Sequence, residues 1–237
     1  MHTYFISGIH SVAAALKNKK RIKKKLYITK ENKVIESLAS KNQVKCFFIS
    51  QNQLKKIMQN DQINHQNLAL EIGEKEILTI DKKKNYSEVF LCLNNINDMR
   101  NLGSIIRTAA AFSINNIILE KKINLSNNLI HRTSAGLIEN INIFQTVNLK
   151  YAFNILKKQN YWITSLTSDA KESILDYKWP KKNIILFGSE GNGLNKLIEK
   201  NSDFKIKIPI DHKVESLNLS NAVAITMAFY KHNLLRK

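Results

Sequence analysis

The sequence predicts an α/β protein, because short apolar runs typical of strands alternate along the chain with helical segments. The clearest case is the apolar run Asn183 to Phe187, which leads into the loop Gly188 to Gly193 and then a predicted helix, Leu194 to Lys200. A second strand, Phe204 to Ile210, is followed by a polar loop and an apolar helix ending near Leu235. Two strand-loop-helix units in tandem predict a parallel sheet whose edge binds a ligand, since strand ends and helix N-termini present unpaired N–H groups there.

Glycine usage singles out the first of these loops. The chain has only seven glycines, and Gly188, Gly191 and Gly193 fall within six residues. A chain this poor in glycine retains it where a positive φ or a close approach of the backbone is required. The spacing fits neither the G-x-G-x-x-G dinucleotide fingerprint nor a P-loop. A tight turn without a ligand is the alternative for this loop taken alone.

The charge balance favours a polyanionic partner. The formal net charge is +18, which indicates nucleic acid or a membrane surface. The basic residues are 32 Lys and only 5 Arg, and Asn and Ile are abundant, so part of this charge reflects a compositional bias of the kind an A/T-rich genome produces. No apolar segment reaches the roughly 18 residues that a membrane span needs, and the N-terminus lacks a cleavable signal. We therefore expect no membrane association.

Metal binding and disulfides are not expected. Cys46 and Cys92 each lie in an apolar run, which is typical of buried thiols in a reducing cytoplasm. The six histidines have no His-x-x-x-His or Cys-x-x-Cys partner, so we predict no bound metal. The expected compartment is the cytoplasm.

Composition divides the chain into a predicted first domain over residues 1–75, a lysine-rich linker over 76–87 and a second domain over 88–237. The first domain is expected to be a small α/β unit with helices and strands in alternation. It contains a run of seven basic residues in nine, Lys17 to Lys25, which is either a solvated loop or a patch that contacts phosphates. The predicted elements are helices over Gly8 to Lys17, Asn32 to Ser40 and Gln53 to Asn60, and strands over Leu26 to Thr29, Lys45 to Ser50 and Asn67 to Ile72.

The second domain opens with a buried strand, Val89 to Leu93, and a helix predicted to start near Asn101, which would cap it. Arg107 then falls among Ile, Ala and Phe residues. An unpaired guanidinium is costly to bury, so we expect Arg107 to meet an acid, a carbonyl or a ligand phosphate. An internal ion pair with Glu190 is one way to satisfy it.

Three ordered segments carry a resemblance to a known family. Asn101 to Arg107, Gly188 to Leu194, and the pair Ile208-Pro-Ile and Val214 to Ser220 resemble the three motifs of SpoU/TrmH-type SPOUT RNA 2′-O-methyltransferases. The N-terminal segment, with Gly8-Ile-His10 and His65-Gln66, is similar to the small substrate-binding domain that this family shares with certain ribosomal proteins.

The resemblance implies a fold and partners. The expected fold is α/β, with a C-terminal trefoil-knot (SPOUT) domain, an exception to the rule that chains are unknotted, and a smaller N-terminal RNA-binding domain. The cofactor implied is S-adenosylmethionine, and the assembly implied is a homodimer in which both subunits contribute to the active-site region. The helix Asn221 to Leu235 is a candidate for that interface or, equally, part of the core.

The two-domain layout is most similar to family members that methylate a guanosine of 23S rRNA in the peptidyl-transferase loop. Related two-domain members modify other rRNA or tRNA nucleotides, so the target nucleotide stays open. Two hypotheses from other classes are a non-catalytic RNA-binding protein, which leaves the polar motif residues unexplained, and a nucleotide-dependent oxidoreductase, which lacks its fingerprint.

Motif positions that match the family imply roles for individual residues. Arg107 is too basic to act as a general base, since a guanidinium has a pKa above about 12. We expect it to hold the target phosphate and stabilise the developing alkoxide, with Glu190 orienting Arg107 or Asn101. Ser216 and Asn218 would position the ribose. The catalytic set implied is Asn101, Arg107, Glu190, Ser216 and Asn218, and the cofactor would contact the backbone of Gly188, Ile208 and Leu217.

Two positions depart from the family pattern. His212 stands where the family has glycine in the turn after Ile-Pro, close to the expected cofactor loop. Asn67 stands where the family's first domain has the glycine of His-Gln-Gly. Neither change removes a group that the chemistry needs, but the first is expected to alter cofactor affinity.

Overall fold

The computed structural model of the chain describes residues 2–59, 64–82, 84, 86–189, 191 and 193–235. It forms two compact units, each with its own sheet. Unit 1 comprises Met1–Glu76 together with Asn124–Glu139, and unit 2 comprises Ile77–Ile123 and Asn140–Lys237.

Strands and helices alternate through most of the part of the chain that the structure describes. The strands are β1 (Thr3–Ser7), β2 (Lys23–Ile28), β3 (Lys45–Phe48), β4 (Leu68–Gly73), β5 (Val89–Leu93), β6 (Asn116–Glu120), β7 (Asn142–Thr146), β8 (Trp162–Leu166), β9 (Glu172–Ser173), β10 (Asn183–Phe187) and β11 (Phe204–Lys207). The helices are α1 (Ile9–Lys17), α2 (Lys33–Lys41), α3 (Gln51–Met58), α4 (Met99–Ala111), α5 (Asn128–Thr133), α6 (Leu149–Lys157), α7 (Lys196–Glu199) and α8 (Leu219–Leu235), with a short 3₁₀ helix at Leu137–Asn140.

Unit 1 contains a four-stranded sheet in the order β1-β4-β2-β3. The pair β2 and β3 is parallel, and the other two pairs are antiparallel. Alternate residues of the strands, such as Ile6, Leu26 and Leu70, are fully buried and pack with α1 and α2. The predicted elements of residues 8–75 are all present with boundaries that differ by at most three residues, whereas β1 was not predicted. The predicted end of the third helix, Asn60, lies outside the described residues.

The second segment of unit 1, residues 124–139, is an insertion between β6 and β7 that the predicted domain division does not include. A buried ion pair connects it to the first segment: Arg21 Nη2 lies 2.6 Å from Glu139 Oε1, and both side chains are 2% exposed. Arg21 also donates to the carbonyl of Gly73, and Asn18 donates to Glu139 Oε2 at 2.7 Å. Within the basic run, Arg21 therefore serves this internal pair and is not available to a phosphate.

His131 of α5 is buried beside this pair. Its Nε2 lies 3.0 Å from the hydroxyl of Tyr4, and its Nδ1 lies 4.0 Å from Glu139 Oε1. Burial lowers the pKa of His131 to about 4, because desolvation of the charged ring outweighs the attraction of the Glu139 carboxylate. The ring is thus neutral at neutral pH, and its contact with Glu139 is not an ion pair under those conditions.

Unit 2 contains a seven-stranded sheet in the order β7-β6-β5-β10-β8-β11-β9, with every ladder parallel. The central strands β5 and β10 are buried at every residue, which explains their continuous apolar sequences. Because the strands are parallel, the carboxyl ends of β8, β10 and β11 meet at one edge. The parallel edge predicted from the sequence is confirmed, with β8 lying between the two strands that predicted it.

Part of the segment 76–87, predicted to be a linker, packs on unit 2. The Leu78 N–H donates to the Ile143 carbonyl at 2.8 Å, and Leu78 pairs with Phe144 in a parallel bridge. Leu78, Ile80 and Tyr86 pack against the core of the unit. The described polar residues of this segment are exposed, whereas these three apolar side chains anchor it to unit 2.

Asn67 adopts the backbone conformation that the family's glycine would favour. Its φ is +66°, and the preceding Gln66 has a φ of +54°. Asparagine tolerates this region better than most residues. The Asn67 Oδ1 also accepts from Gln51 Nε2 at 2.6 Å and from Thr29 Oγ1 at 3.3 Å. These bonds compensate for the loss of glycine.

The thiols are free, Cys92 being buried and Cys46 half-buried, and burial raises the pKa of both. Within the described residues, no helix is long and apolar enough to cross a membrane. Nor do three or more His, Cys, Asp or Glu side chains come together there in an arrangement that could hold a metal ion.

Substitution of Glu139 is expected to destabilise unit 1. The change Glu139→Gln leaves the Arg21 charge buried without its counterion, which typically costs about 3–5 kcal/mol. Equilibrium unfolding in urea measures this loss. The matched control is Lys24→Gln, because the exposed Lys24 Nζ lies 3.7 Å from Glu71 and such a pair contributes about 1 kcal/mol or less. Equal effects of the two changes would contradict a structural role for the buried pair.

The neutral His131 is expected to make the protein sensitive to mild acid. The unfolded chain binds a proton at His131 near pH 6.5, whereas the folded chain does so only near pH 4, so stability falls as the pH is lowered through that window. Urea unfolding measured between pH 7 and pH 4.5 should show a steeper loss in the wild type than in His131→Gln. Parallel pH profiles for the two proteins would show that His131 is not the group responsible.

Candidate functional site

A cavity of about 570 Å³ opens at the carboxyl edge of the unit 2 sheet. Its walls come from the loops that follow β8, β10 and β11 and from the start of α8. The described lining residues are Leu166, Thr167, Ser168, Asp169, Phe187, Gly188, Ser189, Gly191, Gly193, Leu194, Glu199, Ile208, Ile210, Glu215, Ser216, Leu217, Leu219 and Ala222.

The loop after β10 is closed on itself by its backbone. The Ser189 N–H donates to the Gly193 carbonyl at 2.9 Å, and the Gly193 N–H donates to the Ser189 carbonyl at 3.1 Å. A Cβ on Gly188 would lie 2.2 Å from the Gly193 carbonyl carbon, so only glycine fits at Gly188. Gly193 has a φ of +61°, which also favours glycine, whereas a Cβ on Gly191 would meet no atom within 4 Å.

The loop before α8 forms the opposite part of the wall. Ile208 and Leu217 are half-buried and Ser216 is exposed, and all three line the cavity. Next to them, Asn218 Nδ2 donates to Asn101 Oδ1 at 3.4 Å, while Asn218 Oδ1 accepts from the Ser220 N–H at 2.9 Å. The structure therefore places the predicted cofactor residues together on the cavity and pairs the two predicted asparagines beside it.

Helix α4 begins two residues before the predicted start. Asp98 caps it, with its Oδ1 accepting from the Arg100 N–H at 2.7 Å, so Asn101 is not the cap. An Asp three residues before Asn101 is an equally good cap, which explains the earlier start. Asn101 instead lies in the first turn and directs its side chain to Asn218.

Arg107 is exposed on α4, so the cost of burying an unpaired guanidinium, from which we expected a partner for it, does not arise in the single chain. The buried face of the helix is formed by Leu102, Ile105, Ile106 and Ala109, and the helical period turns Arg107 away from it. No residue that the structure describes forms an ion pair with Arg107, and Arg107 does not line the cavity. Glu190, its expected partner, lies outside the described residues.

The cavity has a charge opposite to that of the chain as a whole. Its described lining includes the carboxylates of Asp169, Glu199 and Glu215 but no Lys, Arg or His, although the chain carries a net charge of +18. Glu199 pairs with Lys205, whose pKa it raises. Such a site favours a ligand that carries positive charge over one that presents phosphates.

The loop after β8 forms a part of the cavity wall that we did not predict from the sequence. Leu166, Thr167, Ser168 and Asp169 line the cavity, and the Thr167 Oγ1 is buried with no hydrogen-bond partner among the described residues. The signal was present in the sequence: the run Trp162 to Leu166 precedes Thr-Ser-Asp in the same way that the run before Gly188 precedes its loop.

Two further expectations near the cavity need correction. The predicted helix Leu194 to Lys200 is only the four-residue α7, because Asn195 caps it and accepts from the Leu197 N–H. The predicted strand Phe204 to Ile210 ends at Lys207. His212 has an exposed side chain, does not line the cavity and has no positive φ, so glycine is not required there.

Comparison with known protein families gives a match for each of two ranges of the chain. Residues 88–228 match the SpoU rRNA Methylase family, and residues 5–78 match the family of RNA 2′-O ribose methyltransferase substrate-binding domains. The chain belongs to the SpoU rRNA methylase family.

Members of this family with similar length come from several bacteria. An uncharacterized tRNA/rRNA methyltransferase of Borreliella burgdorferi is 35% identical over 219 residues, covering 86% of this chain and 94% of that protein. The 23S rRNA (guanosine-2′-O-)-methyltransferase RlmB of Coxiella burnetii is 28% identical, covering 94% and 92%. The chain is thus an RNA methyltransferase of the SpoU/TrmH type.

A solved structure confirms the fold class. The SpoU methyltransferase AviRb of Streptomyces viridochromogenes, determined in complex with the cofactor AdoMet, superposes with a TM-score of 0.86 at 14% identity, covering 98% of this chain and 91% of that one. The fold class that the sequence predicts, a SPOUT domain with a smaller N-terminal α/β domain, is therefore confirmed.

The close packing at Gly188 leads to a prediction for the cavity wall. In Gly188→Ala, the new Cβ would overlap the Gly193 backbone, so the loop must shift, at a typical cost of about 1–3 kcal/mol. Urea unfolding measures the cost, and Gly191→Ala is the matched control because its Cβ enters open space. A Gly188→Ala variant as stable as the control would show that the loop is not held closed by this contact.

Proposed function

We propose that this SpoU family member binds S-adenosylmethionine in the unit 2 cavity and methylates a ribose 2′-hydroxyl of RNA. The family assignment supports RNA methylation, and the described structure of AviRb with AdoMet supports the cofactor. The observation that carries the proposal is the acidic cavity in a basic protein. It separates the proposal from the oxidoreductase alternative, whose dinucleotide would bring a pyrophosphate to Asp169, Glu199 and Glu215.

The residues at the cavity fit this cofactor. A volume of about 570 Å³ lies in the usual range for small-ligand sites, and the wall combines apolar side chains with accessible backbone. The absence of a side chain at Gly188 lets the Gly193 and Leu194 backbone pack against it, and this contact holds the loop in place on the cavity wall. Gly188, Ile208 and Leu217 would hold the cofactor through backbone groups, with the acidic lining facing its positive charge.

When bound, S-adenosylmethionine supplies an electrophilic methyl group on a sulfonium ion. The protein must then orient the 2′-oxygen toward that methyl group and favour loss of the hydroxyl proton. The hydrogen-bonded pair Asn101 and Asn218, together with Ser216, is proposed to position the ribose beside the cavity. A fixed amide pair suits this role because each side chain restricts the other.

Arg107 is proposed to bind the phosphate of the target nucleotide. Its guanidinium stays charged at neutral pH and would stabilise the alkoxide that develops on the 2′-oxygen, while the proton leaves to that phosphate or to water. Exposure of Arg107 on α4 supports this role, because the side chain is accessible to a large substrate. Glu190 is proposed to orient Arg107 or Asn101.

The target that we propose is a guanosine of 23S rRNA in the peptidyl-transferase region. The name of the Coxiella burnetii relative supports it, as does an alignment that covers 94% of this chain and 92% of that relative. Other rRNA or tRNA nucleotides are the alternative, since relatives carry the broader tRNA/rRNA description. The residues that would read the target are expected in unit 1, which matches the substrate-binding family.

We also propose that the protein is a homodimer and that it is located in the cytoplasm. Helix α8 packs on α4 with Val223 and Met227 buried, while Ile225 and Phe229 of the same helix are only half-buried. Apolar surface on the last helix supports its use as an interface. In a dimer, Arg107 would also be open to a site that both subunits share.

The variant Arg107→Lys is expected to lose methyl transfer while retaining cofactor binding. Lysine keeps the charge but not the planar fork that suits a phosphate, and loss of a transition-state donor typically costs about 10²–10³ in rate. Transfer of labelled methyl to 23S rRNA lacking the modification gives the rate, and mapping the labelled nucleotide identifies the target. The matched control is Arg100→Lys, which changes an exposed arginine of the same helix.

The outcomes separate the parts of the proposal. An active Arg107→Lys variant would contradict the role of Arg107 alone. A wild-type protein that binds RNA but transfers no methyl to any RNA would refute the proposed function, and the non-catalytic RNA-binding hypothesis would take its place.

A further inference from the structure

On the face opposite its core, the unit 1 sheet presents a second surface at β2 and β3, whereas Ala69 of the adjacent β4 is fully buried. On β2, Leu26 and Ile28 are fully buried among the core residues. Strand residues alternate between faces, so Lys25 and Tyr27 point to the other side. Lys25 is exposed and Tyr27 is half-buried.

The neighbouring strand repeats the same pattern. On β3, Cys46 packs against the core, so Lys45 and Phe47 point to the opposite face. The register of the parallel pair places Lys25 beside Lys45 and Tyr27 beside Phe47. The two strands thus form one row of lysines and one row of aromatic rings, with β3 at the edge of the sheet.

The aromatic row extends toward β1. The rings of Tyr27 and Phe47 are stacked, with centroids 5.6 Å apart and an interplanar angle of 26°. Phe5 meets Tyr27 edge-on at 6.1 Å. Phe47, at the outer end of the row, is 39% exposed. An accessible ring at the end of a stack can receive a further flat, apolar group.

The lysine row lacks neutralising acids among the described residues. Lys25 and Lys45 are both exposed, and like charges on neighbouring strands repel each other. Neither forms an ion pair with a described carboxylate. Glu71, the acid on this face, is already bonded to Thr3 Oγ1 at 2.8 Å and lies 3.7 Å from Lys24 Nζ. An external anion would relieve the repulsion between the two lysines.

We infer that this aromatic-lysine face, formed by Phe5, Lys25, Tyr27, Lys45 and Phe47, binds unpaired nucleotides of RNA. A base extends the stack from the exposed ring of Phe47, and its phosphate lies between Lys25 and Lys45. The two rows are two residues apart along the strands, about 6.6 Å, which is within the reach of one nucleotide from base to phosphate. The inference rests on the proposed function in taking RNA as the substrate and adds the surface and strand type that unit 1 recognises.

The chemistry of the face favours RNA over a protein partner. Protein interfaces are depleted of lysine at their centres, whereas here lysines adjoin the exposed ring. Lys25 Nζ lies 6.0 Å from the Phe47 ring centre, so charge and stacking surface are offered together. Alternating basic and aromatic side chains are typical of proteins that bind single strands.

Stacking is tested with a short single-stranded RNA that carries 2-aminopurine, whose fluorescence falls when the base stacks. The wild type should quench the probe, and Phe47→Leu, which retains apolar area but no aromatic ring, should lose the quenching and bind about tenfold more weakly. The matched control is Phe48→Leu. Phe48 is 64% exposed on the same strand, but alternation directs it to the other face, so its loss should change neither readout.

The phosphate contacts are tested by salt dependence. The double variant with Lys25→Gln and Lys45→Gln should lower the slope of log affinity against log salt by about 1.4, since each phosphate contact on a single strand contributes about 0.7. The control removes the same charge from α2 through Lys33→Gln and Lys41→Gln, both exposed, and should leave the slope unchanged.

Wild-type affinity and unchanged quenching in Phe47→Leu would overturn the inference, and the face would then be better explained as a protein-docking surface. Methyl transfer is measured on the same preparations. Quenching that depends on Phe47 in a protein that transfers no methyl would support this face and refute the proposed function. Methyl transfer by a protein in which Phe47→Leu has no effect on RNA binding would support the proposed function and refute the role of this face.

Discussion

The passage of the backbone at Gly193 and Leu194 over Gly188 is the contact on which the cavity depends. It places two backbone segments where any side chain at Gly188 would overlap them, and the paired Ser189 and Gly193 hold the loop in that position. The loop then forms one wall at the carboxyl edge of β8, β10 and β11. Because all strands run in the same direction, the loops after β8 and β11 arrive at the same edge and complete the enclosure.

Charge is distributed unevenly over the protein. The protein is strongly basic, yet the described lining of the cavity is acidic and lacks basic residues. A site for a cationic cofactor needs such local negative charge, while a polyanionic substrate needs positive charge elsewhere on the surface. The lysines of the aromatic-lysine face in unit 1 provide such positive charge. Arg21 does not, because it is buried in its ion pair with Glu139.

The sequence predicted the elements that have a local cause and missed those that depend on long-range packing. The continuous apolar runs at Val89 to Leu93 and Asn183 to Phe187 identified two central strands, and the scarcity of glycine identified the loop at Gly188. The placement of residues 124–139 in unit 1 could not be read in this way, because the buried pair joins Arg21 to a residue more than a hundred positions later. The exposure of Arg107 was not anticipated, because its apolar neighbours in the sequence lie on a different side of α4 and do not surround its side chain.

The acidic cavity of unit 2 is the site at which we propose that S-adenosylmethionine binds. Isothermal titration calorimetry of the folded wild-type protein tests this proposal most directly, with a nicotinamide dinucleotide titrated in parallel. We expect saturable binding of S-adenosylmethionine at one site per chain and no binding of the dinucleotide. Binding of the dinucleotide by a protein that shows no heat with S-adenosylmethionine would contradict the proposal.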